Sequence, residues 1–519
     1  MTKINNLFPQ VGAYDQAPMV NYEGAPAFVR SDEERCLQVL MTGNAEPTFY
    51  ASAQELADEA IAVIRNMAAL NPEFLTRATI YARSEGHMRL LPIMSLVVLN
   101  ALPDKQWSKA AFDRVILTPG DLQDYMALIL TRRFRGMGIS ALEPVRQWLA
   151  QMPEYHAIKY GSGKQAISLR DIYRLAHPKL EGKAQAIAQY VVKGETASVD
   201  DIELPQIVAF ERLKQTKDED EAIRLISEGR LPHEVVTSIA PSTKRVWTAI
   251  MHQLPYMALL RNLNTLYRHG VMDNQNNVDY ICSVLANPER VQRSRQFPFR
   301  FLSAHKAFEG KNPQIAESLI DALEASFSNM PSIGGTVLVA NDISVSMTTA
   351  VSERSSMTCY EIAAILAAAI YKNAERGHVV SFNQVAHPRS LSRRDSIMGL
   401  ANQIASGGGG TDLSAPLLWM VNSSIPFDAA VFVTDNESWV DHLTRSRGIL
   451  DEIRAYRQKH NPNLKCFFLQ LLPYETAQVP PDEPGCWYLY GWSDSVVRFI
   501  GDIATGGQDQ LDMVNALVL

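Results

Sequence analysis

Apolar side chains recur at a helical spacing through most of the first 330 residues. From about residue 31 onward they stand at i, i+3, i+4 and i+7, which predicts a series of short amphipathic helices. Proline or glycine occupies many of the joints, so we expect antiparallel helix pairs stacked as in an α-solenoid. The clearest predicted helices are 57–70, 72–83, 88–102, 120–134, 245–270 and 313–327.

The pattern changes near residue 331, after which apolar, β-branched runs alternate with helical segments. The sequence MPSIGG at 330–335 predicts a linker, because it combines proline with paired glycine. Strands that are apolar throughout and separated by helices predict a parallel sheet covered on both faces. The predicted strands are 336–342, 378–383, 428–435 and 465–473, and the predicted helices between them are 359–373, 396–405 and 444–460.

The chain of 519 residues is too long for one hydrophobic core, since single cores stop growing at roughly 250–300 residues. We therefore predict a multidomain protein, with an all-α helical-repeat domain at 1–330 and a doubly wound, Rossmann-like α/β domain at 331–519. The five cysteines show no zinc-ligand spacing, and no window holds about 18 uninterrupted apolar residues. The N-terminus lacks the apolar core of a signal peptide, so we expect a reduced, cytoplasmic protein with no membrane partner.

Oxygen-bearing side chains follow two of the predicted strands in the α/β domain. The first strand ends in a D-x-S-x-S loop, a later strand ends in aspartate, and a threonine follows four glycines between them. In a doubly wound sheet the carboxyl ends of such strands meet at the ligand site. Carboxylates and hydroxyls together suit a hard divalent cation, with Mg²⁺ favoured and Mn²⁺ or Ca²⁺ as alternatives. Considered alone, the D-x-S-x-S loop, the threonine and the second aspartate each also fit a helix cap or the start of a loop. The candidate metal ligands are Asp342, Ser344, Ser346, Thr411 and Asp435.

Positive charge is concentrated in two stretches of an acidic chain. The net charge of −7 argues against a uniformly basic nucleic-acid binder, so an RNA site requires a local patch. The stretches 131–180 and 290–306 mix arginine and lysine with glycine or phenylalanine, which suits phosphate contacts and base stacking. Taken alone, they also fit solvated helix faces and core phenylalanines. The candidate RNA contacts are Arg132, Arg133, Arg135, Lys159, Lys164, Arg170, His177, Arg293 and Arg295.

Two family resemblances join these observations. The DxSxS loop, threonine and aspartate resemble the metal-ion-dependent adhesion site of von Willebrand A domains. The helical region is similar to the TROVE module of Ro proteins at 21–52, in the KYGSGK and SLRDIYRLAHPK segments, at 254–266 and in RSRQFPFRFLSAHKAF. The order of the two modules is that of the Ro ribonucleoprotein family, to which we expect this chain to belong.

The resemblance implies a closed ring of HEAT-like helical repeats with a basic central hole. In such proteins small Y-type noncoding RNAs bind the outer surface, and single-stranded ends of misfolded RNAs enter the hole. Lys159, Lys164, Arg170 and His177 match the outer-surface contacts. The resemblance further implies a role in RNA quality control, maturation or decay, with an exoribonuclease such as polynucleotide phosphorylase as a partner.

At the metal site the resemblance implies that hydroxyls bind the ion directly and that the carboxylates bind directly or through water. An acidic side chain of a protein partner would fill the open position. Val345 and Asn436 depart from the family pattern, in which glycine is frequent at both positions. A bulkier loop would weaken metal binding or alter the access of a partner.

We expect a scaffold without catalytic activity, because HExxH, GxSxG and Walker A patterns are absent from the sequence. Two other functions stay open at this point. A metal-dependent hydrolase would need a base near Asp342 and Asp435, for which Glu437 is the nearby candidate. A protein-adhesion module would use the α/β domain alone and leave the basic stretches without a role.

Overall fold

The computed structural model describes most of the chain, and the following account concerns those residues. They are 19–20, 26–43, 53–130, 139–161, 166–194, 204–296, 298–327, 332–350, 357–405, 407–435, 448–472, 474, 476–480, 482–491, 499–501 and 509–519.

The first part of the chain is helical after one short antiparallel strand pair. The strands are β1 (Met19–Val20) and β2 (Pro26–Ala27). The helices are α1 (Asp32–Thr42), α2 (Ala53–Leu70), α3 (Pro72–Ser84), α4 (Leu90–Ala101), α5 (Gln106–Val115), α6 (Pro119–Leu130), α7 (Ile139–Ala150), α8 (Glu154–Gly161), α9 (Leu169–Ala176), α10 (Gly182–Lys193), α11 (Pro205–Gln215), α12 (Glu219–Gly229), α13 (His233–Ile239), α14 (Lys244–Met251), α15 (Tyr256–Arg268), α16 (Gln275–Leu285), α17 (Pro288–Ser294), α18 (Phe299–Phe308) and α19 (Pro313–Ser326).

These helices pack mainly against helices close to them in the chain, such as α1 with α2, α3 with α5, and α11 with α12. That arrangement is the one predicted for a helical-repeat region, in which each unit covers the apolar face of its neighbour. The predicted helix at 245–270 is wrong in one respect, because α14 ends at Met251 and α15 begins at Tyr256. Pro255 precedes α15, and a proline disfavours helical backbone in the residue before it.

The second part of the chain is a six-stranded sheet covered by helices. The strand order is β5-β4-β3-β6-β7-β8, and every pair is parallel except β4 with β5. The strands are β3 (Ile333–Asp342), β4 (Ala374–Phe382), β5 (Ala386–Arg389), β6 (Ala429–Thr434), β7 (Lys465–Gln470) and β8 (Cys486–Tyr490). The helices are α20 (Cys359–Asn373), α21 (Ile397–Ile404), α22 (Ala415–Asn422), α23 (Ile449–Lys459) and α24 (Gln510–Ala516).

The doubly wound sheet confirms the predicted fold, and its strand order fixes the ligand position. From β3 the chain passes to β4 on one side and later to β6 on the other, so the order reverses between β3 and β6. In open α/β sheets, ligands bind at this reversal, beyond the carboxyl ends of the strands. The two edge strands, β5 and β8, were not predicted from the sequence.

Both ends of the helical region contact the α/β domain. At the first end, α1 packs against β8 and α3 packs against α24. At the other end, α18 packs against α20 and α19 against α21. The α/β domain therefore joins the two ends of the helical region and closes the chain into a continuous circuit. Throughout the described part of the chain, no helix combines the length and apolar character needed to cross a bilayer.

A buried arginine makes the first of these junctions. Nη2 of Arg30 donates to Oε1 of Gln470 and to the carbonyl of Thr476, both at 2.9 Å, and Nη1 donates to Oη of Tyr490 at 3.0 Å. The guanidinium also lies 4.3 Å from the centre of the Tyr488 ring. Since only 5% of Arg30 is exposed, its charge depends on these contacts.

The second junction is more exposed. Lys306 of α18 pairs with Glu361 of α20, and their side chains are 39% and 24% exposed. Lys372 of α20 pairs with Glu324 of α19 at 2.8 Å. Pairs in contact with water contribute little to stability, because solvent screens their attraction.

We expect Arg30→Met to destabilise the protein by about 3 kcal/mol, because it removes three buried hydrogen bonds from a charged donor to Gln470, Tyr490 and the Thr476 carbonyl. The matched control, Lys306→Met, removes one exposed pair and should cost less than about 1 kcal/mol. Urea unfolding followed by circular dichroism measures both values. Equal destabilisation by the two substitutions would contradict this account of the junction.

Candidate metal centre and nucleic-acid interface

Asp342 is the last residue of β3 and lies where the strand order reverses. Its Oδ1 accepts a hydrogen bond from the Ser344 amide at 2.9 Å, and its Oδ2 accepts one from the Thr434 hydroxyl at 2.7 Å. Thr434 ends the neighbouring strand β6. These two bonds fix the carboxylate between the ends of β3 and β6, and Asp435 is the residue that follows β6.

The two serines of the D-x-S-x-S loop lie beside this carboxylate. Ser344 Oγ and Ser346 Oγ are 3.1 Å apart, and both residues are buried. The amide of Val345, between them, donates to the Gly409 carbonyl at 3.0 Å and ties the loop to the glycine-rich segment that carries Thr411. Thr411 and Asp435 are buried as well. All five predicted ligands are therefore buried, and the structure brings Asp342, Ser344 and Ser346 together.

The buried negative charge at the carboxyl ends of β3 and β6 favours a bound cation. Burial raises the pKa of Asp342 to about 6, against the opposing effect of hydrogen bonds from Thr434 and Ser344. A buried carboxylate is stabilised by a nearby positive charge, so a divalent ion would offset the cost of its burial. The donor set of carboxylates and hydroxyls is entirely oxygen and fits a hard ion such as Mg²⁺.

Hydroxyl groups are essential to any such site. Within the described residues, no three His, Cys, Asp or Glu side chains form a cluster that could hold a metal. A metal site here would therefore need Ser344, Ser346 and Thr411 as ligands in addition to Asp342 and Asp435. Neutral hydroxyl ligands leave a divalent ion with net positive charge.

Val345, which departs from the family pattern, lies with 45% of its surface exposed while the flanking serines are buried. Its bulk is thus accommodated outside the group of hydroxyls. The second departure, Asn436, and the hydrolase candidate Glu437 lie outside the described residues.

The first basic stretch forms an exposed surface on α9. Arg170 and Arg174 are exposed and stand four residues apart, so they share one face of the helix. His177 is also exposed and ends α9 with a φ of 45°, a left-handed conformation more usual for glycine or asparagine. Lys159 of α8 pairs with Glu234 at 2.8 Å, so its charge is compensated in this structure. The predicted contacts Arg132, Arg133, Arg135 and Lys164 lie outside the described residues.

The second basic stretch meets distant residues in a cavity of about 460 Å³. Arg295 is the residue that follows α17, and its backbone is in the left-handed conformation. It lines the cavity together with Arg300 of α18 and Arg261 of α15. His87 and Arg89, from the segment between α3 and α4, also line the cavity. We call this group of five residues the basic cavity. Arg293, the other predicted contact, is 81% exposed, pairs with Glu289 at 3.6 Å and is not part of the cavity lining.

The charges of the basic cavity are only partly compensated. Arg89 pairs with Asp121 and Asp124, both at 2.5 Å. For Arg261, Arg295 and Arg300 the described residues provide no acidic partner. Partial burial, and secondly the positive charge of Arg261, lower the pKa of Arg300. Like charges held together in a recess create an attraction for anions.

Sequence reasoning missed four of the five members of the basic cavity, His87 among them. Arg261 and Arg300 lie within the segments LPYMALLRNLNTL and RSRQFPFRFLSAHKAF, but nothing in the local sequence separates them from surface arginines. Arg89 comes from a helix joint more than 170 residues away from Arg261 along the chain. Only the folded circuit brings these positions to one cavity.

Comparison with known families agrees with both halves of the structure. The TROVE domain model matches residues 231–378, and the Ro60 vWA domain model matches residues 336–504. Together they span the C-terminal helices and nearly all of the sheet. The chain belongs to the Ro ribonucleoprotein family.

Two similar proteins match a larger part of the chain. The RNA-binding protein RO60 of Deinococcus radiodurans is 27% identical over 469 residues, covering 84% of this chain and 86% of that protein. The RNA-binding protein RO60 of Caenorhabditis elegans is 24% identical over 403 residues, covering 66% of this chain and 62% of that protein. The crystal structure of the Deinococcus radiodurans RO (RSR) protein has the same fold, with a TM-score of 0.69 over 92% of this Ro-family chain and 100% of that one, at 24% identity.

We expect Thr434→Val to raise the pKa of Asp342 above its value of about 6, because the substitution removes a hydrogen bond to the charged carboxylate. An infrared pH titration of chelator-treated protein, following the protonated carboxyl band, measures the change. Ser381→Ala is the control, since this buried hydroxyl on β4 donates to the Ile404 carbonyl instead. An unchanged or lower pKa in Thr434→Val would show that the bond does not hold the carboxylate.

Proposed function

We propose that this protein is a non-catalytic RNA-binding scaffold of a Ro ribonucleoprotein. It binds a Y-like small noncoding RNA on the outer surface formed by α8 and α9, and single-stranded ends of misfolded RNA in the basic cavity. The observation that carries the proposal is the cluster of Arg261, Arg295 and Arg300, whose charges are not compensated by any described residue. The names of the two RO60 relatives, both RNA-binding proteins, support it.

The basic cavity has the chemistry expected of a single-strand site. Its guanidiniums can bind phosphate oxygens bidentately, and a strand entering the recess would release the counterions bound to its phosphates. Met257, which is 42% exposed, and Leu260 offer apolar surface to bases in the same cavity. These contacts do not select a base, which suits a protein that accepts RNA ends of many sequences.

The α9 surface has a different chemistry. Arg170 and Arg174 are exposed on one face of α9, which suits the phosphates of a folded RNA. Asp171, the acidic residue between them, accepts hydrogen bonds from the amide and hydroxyl of Ser168 and so caps the start of the helix. These hydrogen bonds hold the Asp171 carboxylate at the start of α9, where Ser168 is the N-cap.

Charge reversal at the two surfaces should separate the two kinds of RNA binding. We expect Arg261→Glu to weaken binding of a single-stranded oligoribonucleotide by roughly tenfold or more at low salt and to reduce the salt dependence of binding. We expect Arg170→Glu to weaken binding of a blunt-ended stem–loop RNA instead. Fluorescence anisotropy titrations over a salt series measure both affinities.

The control is Arg245→Glu, because Arg245 already pairs with Glu219 at 3.0 Å and Asp220 at 2.5 Å. Removing this compensated charge should change RNA binding far less than Arg261→Glu. Unchanged affinity for both RNAs in the Arg261 and Arg170 variants would overturn the scaffold proposal. It would leave the protein-adhesion function of the α/β domain as the alternative.

The metal centre would complete the scaffold as an attachment point for a protein. In this proposal Asp342, Ser344, Ser346, Thr411 and Asp435 hold Mg²⁺, with Mn²⁺ or Ca²⁺ as substitutes. The ion, left with positive charge by its hydroxyl ligands, supplies a Lewis-acidic position for an acidic side chain of a protein partner. An exoribonuclease such as polynucleotide phosphorylase would join through the Y-like RNA, and the complex would act in cytoplasmic RNA quality control, maturation or decay.

Asp342→Asn should abolish Mg²⁺ binding while keeping the shape of the side chain, because it removes the buried negative charge. Isothermal titration of chelator-stripped protein with MgCl₂ measures this loss. The control is Asp273→Asn, which changes a carboxylate that is 72% exposed in the helical region. Equal Mg²⁺ binding by the wild type and Asp342→Asn would refute the assigned site. RNA cleavage that disappears in Asp342→Asn would favour the hydrolase alternative.

A further inference from the structure

Two cysteines face each other on the last two strands of the sheet. Cys466 of β7 is paired in register with Cys486 of the edge strand β8. Side chains at paired positions of adjacent strands point to the same face, so the two sulfurs are neighbours. Adjacent strands lie about 4.8 Å apart, a separation within the Cα range that a disulfide spans. Both thiols are free and buried in this structure.

An arginine distinguishes the two thiols. Nη2 of Arg457 donates to Cys486 Sγ at 3.6 Å and to the Leu464 and Gly485 carbonyls at 2.9 and 2.8 Å. Gly485 permits this approach, because a Cβ at that position would lie 2.8 Å from the same nitrogen. The guanidinium is thus fixed against one of the two sulfurs.

The two thiols consequently differ in acidity. The hydrogen bond from Cys466, together with the positive charge of Arg457, lowers the pKa of Cys486 against the opposing effect of burial. Burial raises the pKa of Cys466 well above its usual value. One sulfur is therefore disposed to react as a thiolate while its neighbour keeps its proton.

Cys486, but not Cys466, helps to line a cavity of about 250 Å³. Its other lining residues include the carboxylates Glu34, Asp482, Glu483 and Asp509. Acidic walls disfavour anionic reagents such as glutathione but admit a small neutral molecule. The volume exceeds the roughly 30 Å³ that a water molecule takes in the liquid.

We propose that Cys486 and Cys466 are a peroxide-reactive pair, in which Cys486 is the nucleophile and Cys466 the resolving thiol that closes a reversible disulfide. This site is separate from the RNA and metal sites proposed above. The cavity gives access, the strand register gives the partner, and Arg457 selects the reacting sulfur.

The reaction balances with hydrogen peroxide as the oxidant. The Cys486 thiolate attacks one peroxide oxygen, the O–O bond breaks, and the departing hydroxide takes up a proton to form water. Cys466 then loses its proton and attacks the sulfur of the Cys486 sulfenic acid. The S–O bond breaks, a second water leaves, and the two electrons lost by the sulfurs have passed to the peroxide.

The test treats the reduced full-length protein with hydrogen peroxide, quenches it, denatures it in alkylating reagent and maps its peptides. We expect a linked Cys466–Cys486 peptide at peroxide concentrations that leave Cys36 and Cys359 alkylated, with reversal by dithiothreitol. Those two thiols are internal references, because burial raises the pKa of each. Absence of the linked peptide, or oxidation of the reference thiols at the same rate, would overturn the proposal.

Substitutions separate the role of each residue. In Cys466→Ser, Cys486 sulfenic acid should persist and be trapped by dimedone, whereas Cys486→Ser should give no adduct at either position. Arg457→Gln should slow disulfide formation several-fold. The matched control is Arg454→Gln, because both Arg454 and Arg457 pair with Glu483 but only Arg457 donates to Cys486.

Thermal unfolding of each variant verifies that it is folded at the reaction temperature. Equal rates for a folded Arg457→Gln and for Arg454→Gln would refute the selection of Cys486 by Arg457. A dimedone adduct on Cys466 rather than Cys486 would reverse the assignment of the two thiols and likewise refute the proposal.

Discussion

A helical-repeat region cannot cover its own ends, and this constraint governs the architecture of the protein. Each helix pair buries its apolar face against the next pair, so the first and last pairs require another surface. The α/β domain provides both surfaces, with β8 and α24 at one end and α20 and α21 at the other. Arg30 fixes the first contact, because its buried charge is satisfied only when Gln470, Tyr490 and the Thr476 carbonyl surround it.

Closure of the chain also determines where its basic side chains lie. Many basic side chains of the described region are paired with carboxylates, as Arg245 is with Glu219 and Asp220. An acidic chain with paired surface charges has little general attraction for RNA. Arg261, Arg295 and Arg300 instead share one cavity, which forms where α15, α17 and α18 meet the segment between α3 and α4.

Strong local patterns made much of the fold predictable. The apolar runs at β3, β4, β6 and β7 and the helix at 359–373 were assigned from sequence within a few residues, since their periodicity is clear. The edge strands were missed: β5 has only four residues and is half-exposed, so it lacks a continuous apolar run. The predicted helix at 245–270 divided at Pro255, because the backbone preference of proline outweighed the apolar period.

The sequence by itself determined the two fold classes, and it identified Asp342 and Asp435 as carboxylates that follow parallel strands, because such strands bring their carboxyl ends together. Tertiary structure alone decided which charges are compensated, as for Lys159 with Glu234, and which distant arginines share a cavity. It also placed Cys466 beside Cys486 through strand register. Such pairings depend on contacts between residues far apart in the chain, and neither spacing nor composition encodes those distances.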